Sequence, residues 1–423
     1  MSKSLNILVS GAGIAAGVFT NCIRRAFPNN ARITMVERAP QLRLTGASVD
    51  IRNSAVDIIK WMGVEPAIRA HSTGEKGLSY VDAYGRPFAT IATTGRSDVQ
   101  SLTSEYEIFR GELAKILIEP VEKDIELVFD DHVKDYQQND NGILVTFASG
   151  RCESYDLLVA ADGMRSIIRG IMLGEDSNKH VHDEGVFAAY FTINKDLLEG
   201  SQVAKWRNMT GGRTILLRPD PSPTGRTRAH IITVIKKSDK ARAERLRNAV
   251  RKGNESFMRL MEEWYRDGDW LTKDVLRGMR ESDDFYCSPF AQVRTPKLAD
   301  SRVVFIGDAG YSLPGFGTSL AIIGAYVLAG ELLSHSGNIP RALTSYEEQM
   351  LRFTKPKLKD DGAMQVFNPQ TKWGLAVRNT ILRIVTRTGI DQLGMRAAVA
   401  VGIGDAPFPL HKYPWPNEQE RER

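Results

Sequence analysis

Residues 5–38 constrain the chain more than any other stretch. Leu5-Asn6-Ile7-Leu8-Val9 is a short, branched apolar run, as a buried parallel strand requires. Gly11-Ala12-Gly13-Ile14-Ala15-Ala16 follows, a G-x-G-x-x-G/A pattern with alanine in the third place. Gly11 permits the tight turn, Gly13 lets a pyrophosphate approach the backbone, and the small Ala16 lets the helix pack close to the sheet. A second strand, Ile33-Thr34-Met35-Val36, ends at Glu37, the distance expected of an acid that holds ribose hydroxyls. A glycine turn alone can be only a turn. Set between strand and helix and closed by an acid, it predicts a dinucleotide site in an α/β fold.

With 423 residues there is room for two or three domains. The hydrophobic fraction of 42% and charged fraction of 25% are those of an ordinary soluble protein. A net charge of +5 is mild, and the densest basic run, 236–252, alternates with Ala, Leu and Val and includes Asp239 and Glu244. It reads as the solvated face of a helix, so no nucleic-acid partner is expected. Cys22, Cys152 and Cys287 lie far apart with no CxxC, which suggests neither a disulfide framework nor a zinc site. The chain enters a strand almost at once, without a charged-then-apolar leader. Its longest apolar run, 320–330, is too short to span a bilayer. A cytoplasmic protein with no transmembrane segment is expected.

Further along, helices are predicted over 54–62 and 110–119, and strands over 125–129 and 143–147. Residues 77–91 read as two strand-like runs about the turn Tyr84-Gly85-Arg86-Pro87. A buried strand ends in Ala161-Asp162-Gly163, with Arg169 three residues beyond Ser166. Residues 181–295 change character and read as a substrate domain with a mostly antiparallel sheet. Residues 302–308 return to a buried strand ending in Gly307-Asp308, and a loop holding Pro314 leads to Gly315-Phe316-Gly317 and an apolar helix. The division predicted is a nucleotide domain in two parts, 1–180 and 296–355, around that substrate domain. A C-terminal segment, 356–423, is helical to about residue 403, and its last dozen residues, rich in proline, are irregular.

Together the glycine turn, Asp162-Gly163 and Gly307-Asp308 resemble the FAD-dependent aromatic hydroxylases with the p-hydroxybenzoate hydroxylase fold. The branch most resembled contains tetracycline-modifying and fungal secondary-metabolite monooxygenases. Its phrases stand here as Glu37-Arg38-Ala39-Pro40, Asp50-Ile51-Arg52, Ile108-Phe109-Arg110, Tyr190-Phe191-Thr192, Leu217-Arg218-Pro219 and Gly324-Ala325-Tyr326-Val327-Leu328. The resemblance covers nearly the whole chain. It implies a Rossmann-like FAD-binding domain, an antiparallel-sheet substrate domain and C-terminal helices.

By the same resemblance, Gly11, Gly13 and Ala16 belong to the turn on the FAD pyrophosphate, and Glu37, with Arg38 beside it, to the adenosine ribose. Gly46 is a further cofactor-binding candidate, Arg110 belongs to the flavin end, Asp162 to FAD and NAD(P)H handling, and Asp308 to the ribityl chain. Gly315 and Gly317 let the helix that follows them approach the ring. The resemblance further implies that NADPH or NADH reduces FAD as a transient visitor. Molecular oxygen then supplies one atom to a small aromatic or polyketide-like substrate in secondary metabolism. Two departures stand out: Ala309-Gly310-Tyr311-Ser312-Leu313-Pro314 is shorter than the family loop, and Ala16-Gly17-Val18-Phe19 replaces a more usual Gly-Pro-Ala-Leu.

Blander readings compete. Arg110 also fits a surface ion pair at a helix start, and Asp162 and Asp308 also fit plain turns. Tyr190 and Trp206 are candidate substrate contacts, although with Tyr286 they equally suit a sheet core. The sequence His180-x-His182-Asp183-Glu184 lacks a third ligand cluster, so a polar loop is expected there and no metal. Gly317-Thr318-Ser319-Leu320-Ala321 lacks the last glycine of a nucleophile elbow, which disfavours a hydrolase. No Gly-Trp-x-Trp-x-Ile-Pro phrase supports a halogenase. A monooxygenase is expected, with a redox-silent isomerase or cyclase, or a binding protein that has lost FAD, as rivals; no catalytic base is named.

Overall fold

The computed structural model describes residues 4–42, 47–92, 106–221, 225–358, 368–388 and 407–416. A six-stranded sheet runs Ala299–Asp300, Val303–Phe305, Leu157–Ala160, Leu5–Ser10, Ala31–Glu37, Glu126–Phe129. All its pairings are parallel except the edge hairpin of Ala299–Asp300 with Val303–Phe305. The strands are covered on both faces, so they read as continuous apolar runs: Ile7, Leu8, Val9, Leu157, Leu158 and Val159 are fully buried. Three strand ends therefore meet at one edge: Ser10 before the glycine turn, Ala160 before Asp162, and Phe305 before Asp308.

The helix Ile14–Ala26 packs along Gly317–Ser334 and against Arg110–Ile118. Ala16 is fully buried. The tightest approach falls one residue on, because a methyl at Gly17 would lie 2.8 Å from Leu117 Cβ. Gly317–Ser334 is long and apolar enough to cross a membrane, but 78% of it is buried inside the protein, as a core helix requires.

The second sheet has eight strands, in the order Tyr311–Ser312, Tyr286–Arg294, Val181–Ile193, Thr227–Val234, Arg213–Pro219, Val203–Met209, Gly77–Val81, Pro87–Ala92. Only the pairing of Val203–Met209 with Gly77–Val81 is parallel. Strand pairing thus crosses the boundaries drawn from sequence. The hairpin of residues 77–92 comes from within 1–180, and Tyr311–Ser312 from within 296–355, yet both join the sheet of 181–295. His182, Asp183 and Glu184 lie in a strand rather than a loop, at a bulge between Asp183 and Val186. Helices Lys240–Arg251, Asn254–Tyr265 and Thr272–Glu281 cover one face, burying Phe257, Met261 and Val275 against Phe191, Ile215 and Ile231. The basic run forms the first of these, with Leu246 and Ala249 turned inward.

The helix Lys372–Thr388 lies beside Pro87–Ala92. Residues 389–403, expected to be helical, lie outside the described residues. Residues 407–416 lack regular structure but bury Phe408, Tyr413 and Trp415 against Trp61, Tyr326 and Phe353 of the first unit. Tyr413 donates to Glu331 Oε1 at 2.8 Å, and a methyl at Gly330 would lie 2.2 Å from its ring.

Candidate active site

Two adjoining cavities, of about 340 and 330 Å³, share Gly13, Arg110, Gly163, Tyr190 and Phe290 in their walls and so form one cleft between the sheets. The first lobe is lined by Gly11, Gly13, Glu37, Arg38, Arg110 and Asp162. Gly11 has φ +101°, and a methyl there would lie 2.5 Å from Ala161 O. Only glycine makes this turn without strain. At Gly13 a methyl would meet nothing within 4 Å: the helix N-terminus opens onto free space. Glu37 closes the turn, accepting from Ala12 N at 3.0 Å and Ala39 N at 2.9 Å, while it faces the cavity.

Asp162 Oδ2 accepts from Ile167 N at 3.1 Å, whereas its Oδ1 is buried with no partner among the described residues. Burial raises its carboxyl above the usual range, against the lowering effect of a Ser166 hydrogen bond. Behind it, Arg169 is completely buried and donates to Met164 O, Ser177 O and Ala309 O.

The second lobe is lined by Asp308, Gly315, Gly317 and Ser312-Leu313-Pro314, with Ser48 and Asp50 opposite. The loop after Gly307-Asp308 contributes an edge strand: Tyr311 pairs with Arg294 and Ser312 with Val293. Gly315 has open space around its Cβ position, and a methyl at Gly317 would lie 3.4 Å from Asp308 Oδ1.

Tyr190 stands at the wall shared by both lobes, on the sheet face opposite helices Lys240–Arg251, Asn254–Tyr265 and Thr272–Glu281. Register carries a row across this face: Tyr286, Tyr190, His230, Leu216, Trp206, Tyr80. Tyr190 packs 4.7 Å from the His230 ring and 6.2 Å from Tyr286. Burial, aided by Arg218 and Arg228, holds His230 well below its ordinary range, so it is a neutral imidazole at neutral pH. Trp206 lies farther along the row and lines neither lobe; its Nε1 is buried without a partner among the described residues. Gly46 lies outside the described residues.

Next to Ser48 and Asp50 sits a buried cluster that draws on four separated segments. Arg218 donates to Glu75 Oε2 at 2.7 Å, to Ser48 Oγ at 2.7 Å, and to Glu107 Oε2. Arg52 pairs with Asp50 at 2.8 Å. Three carboxyls thus face two guanidiniums. Burial, only partly offset by Arg218, pushes Glu75 up to about 7, and burial with Glu107 beside it raises Asp50. Among the described residues no group of three or more His, Cys, Asp or Glu is placed to hold a metal ion.

No family model matches the chain. The chain is 31% identical over 414 residues to the FAD-dependent monooxygenase asL6 of Sarocladium schorii, covering 92% of this chain and 94% of that protein. The chain belongs to the FAD-dependent monooxygenases. Monooxygenase CTB7 of Cercospora beticola is 31% identical over 407 residues, covering 93% of this chain and 94% of that one. The crystal structure of tetracycline destructase Tet(51) superposes with a TM-score of 0.71 at 29% identity, over 91% of this chain and 98% of that chain. The enzyme is thus a flavoprotein oxidoreductase of the aromatic hydroxylase family.

The cleft fits FAD. It joins two lobes, has free space at the Gly13, Gly163 and Gly315 Cβ positions, and holds orphaned buried oxygens at Asp162 Oδ1 and Asp50 Oδ1. Of the residues proposed from sequence, ten of those on the described chain line it: Gly11, Gly13, Glu37, Arg38, Arg110, Asp162, Asp308, Gly315, Gly317 and Tyr190. Ala16 and Trp206 stand behind the walls. Sequence reasoning missed Ser48, Asp50, Arg165, Ser288 and Phe290 as wall residues. Asp50 alone carried a signal, since it opens the Asp50-Ile51-Arg52 phrase.

Proposed function

We propose that this monooxygenase takes a hydride from NADPH or NADH and uses molecular oxygen to hydroxylate or epoxidise a small aromatic or polyketide-like molecule. The carrying observation is the single cleft that runs from the Glu37 turn past Arg110 to Gly317 and is walled by Tyr190 and Phe290 of the second sheet. One oxygen atom enters the product; the other leaves as water with the two electrons of the nicotinamide and two protons. FAD, when bound, supplies the electron transfer and oxygen activation.

The chain's own residues then have these roles. Gly11 and Gly13 admit the pyrophosphate, Ala16 keeps the helix close, and Glu37, beside Arg38, takes the adenosine ribose. Asp308 accepts from the ribityl hydroxyls, Asp162 and Arg110 border the middle of the cleft, and Gly315 and Gly317 leave room for the ring. Residues 1–180 and 296–355, less the two pieces that pair with the second sheet, form the FAD unit. Residues 181–295 form the substrate unit, with 356–423 spanning both. Tyr190, backed by the neutral His230 ring, offers a hydroxyl to a phenolic substrate, and Trp206 extends the aromatic row. With cofactor and substrate filling the cleft, the walls from both sheets shield the reacting atoms from water.

The test is direct. Purified protein should carry extractable FAD, bleach anaerobically with NADPH, and yield product bearing one ¹⁸O atom from ¹⁸O₂. Turnover without oxygen, or a colourless protein that cannot be reloaded with FAD, would overturn the proposal.

A further inference from the structure

Eight large hydrophobic residues are exposed among the described residues, and four of them stand on one helix, Lys372–Thr388. Trp373 is 78% exposed, Val377 39%, Ile381 55% and Ile384 54%. Their spacing of four, four and three residues places them within an arc of about 80° at 100° per residue. The stripe is about 17 Å long at 1.5 Å rise per residue.

The opposite face is seated on the body of the protein. Leu375 is buried, Arg378 donates to Asn208 Oδ1 at 2.7 Å, and the Arg378 guanidinium lies 5.4 Å from the Tyr80 ring. Arg383 reaches over Phe88 at 5.7 Å. The outward face is therefore held by the fold and is not a frayed end.

The charge on this helix is one-signed. It carries Lys372, Arg378, Arg383 and Arg387 and no Asp or Glu. Lys372, Arg383 and Arg387 are exposed and run along one edge of the apolar stripe. A narrow apolar stripe with a tryptophan at one end and cations beside it matches a helix lying in the plane of a lipid surface. A second copy of the chain fits less well. A twofold contact through the same stripe would bring the same cations together with no carboxylate from either helix. Four cations also exclude the helix as a span.

We propose that the helix Lys372–Thr388 docks this enzyme on an anionic lipid surface. Trp373, Val377, Ile381 and Ile384 enter the boundary between headgroups and acyl chains, and Lys372 and Arg387 meet the headgroups. The inference rests on this surface alone and stands whether or not the proposed substrate class is right.

The experiment is vesicle flotation of the full-length, FAD-loaded protein. Phosphatidylcholine vesicles are compared with vesicles also containing phosphatidylserine, at low and high salt. Binding is expected on the anionic vesicles, weakened by salt, with a blue shift in tryptophan emission. Arg387→Glu should weaken it about fivefold or more, as loss of one cation near the surface predicts. Ile381→Glu should abolish it, with flavin content and circular dichroism unchanged because the side chain is exposed. No flotation of the wild-type protein, or equal flotation of Ile381→Glu, overturns the proposal. So does a concentration-dependent dimer in sedimentation equilibrium that Ile381→Glu dissociates, since a second copy would then own the stripe.

Discussion

The Nη1 of Arg169 donates to the carbonyl of Ala309 at 2.9 Å, tying the turn after Asp162 to the turn after Asp308. The same side chain, with no exposure to solvent, also holds Met164 O at 2.6 Å and Ser177 O at 2.7 Å. The bond joins residues 140 apart in sequence and so ties the two strand ends to one spacing.

Arg169→Met keeps the unbranched apolar stem of the side chain and removes every donor. Three buried carbonyls lose a partner, and each stranded acceptor costs about 1–3 kcal/mol. A loss of about 3 kcal/mol or more in urea unfolding is expected, with lower FAD retention on gel filtration. Stability within about 0.5 kcal/mol of wild type would show that the arginine does not hold the two turns.

Asp308→Ala probes the second lobe. Asp308 sits on the cavity wall at a strand end, where its carboxylate faces the space next to Gly317. Loss of one charged hydrogen bond to the cofactor costs about 1.5–3 kcal/mol, or tenfold and more in affinity. Titration of apoprotein with FAD should show this weakening with the melting profile of the apoprotein unchanged. Equal affinities would remove Asp308 from the site.

The strand ends were legible because each is local. Leu5–Ser10, Leu157–Ala160 and Val303–Phe305 are buried on both faces and end in a glycine or an acid, signals that need no distant partner. The hairpin of residues 77–92 was legible as strands but not as part of the second sheet. Its parallel pairing with Val203–Met209 spans more than a hundred residues and leaves no trace in periodicity. The Glu75–Arg218–Glu107 cluster was invisible for the same reason. Each member reads alone as a surface charge, and only the fold removes all three from water. Likewise, the prolines near the C-terminus truly mark irregular backbone, yet Tyr413 and Trp415 there are core residues by packing on Tyr326.

Glu75→Gln tests the buried cluster through pH. Burial moves the Glu75 carboxyl from 4.5, the value of a free glutamate side chain, up to about 7 in the folded protein. Between those values the folded state holds a proton that the unfolded chain has released. Its contribution to stability is therefore fully present below about pH 4.5 and is lost as pH rises through about 7. The slope approaches about −1.4 kcal/mol per pH unit within that window. The glutamine variant mimics the protonated acid and should flatten this component, becoming more stable than wild type at pH 8. Parallel stability profiles for the two proteins would mean that Glu75 keeps its charge.

Gly324→Ala acts on the loop 309–314 from behind. Tyr311 is held by its pairing with Arg294, by a 2.9 Å bond to the Tyr346 hydroxyl, and by contact with Gly324, where a methyl would lie 1.7 Å from its own hydroxyl. Ser312, Leu313 and Pro314, next in the chain, line the second lobe. The added methyl must push Tyr311 and its strand toward the cleft or away from it, at about 1–3 kcal/mol of overpacking. Either movement loosens the wall that excludes water. NADPH oxidation should then outrun product, with product per NADPH falling about twofold or more and hydrogen peroxide making up the difference. A second substitution separates this route from general damage. Tyr311→Phe removes the hydroxyl that meets the methyl, so the double variant should recover part of the lost coupling. The Tyr311→Phe single variant should lose only about 1 kcal/mol of stability. Unchanged coupling in Gly324→Ala, despite the measured loss of stability, would show that the loop does not seal the reacting centre.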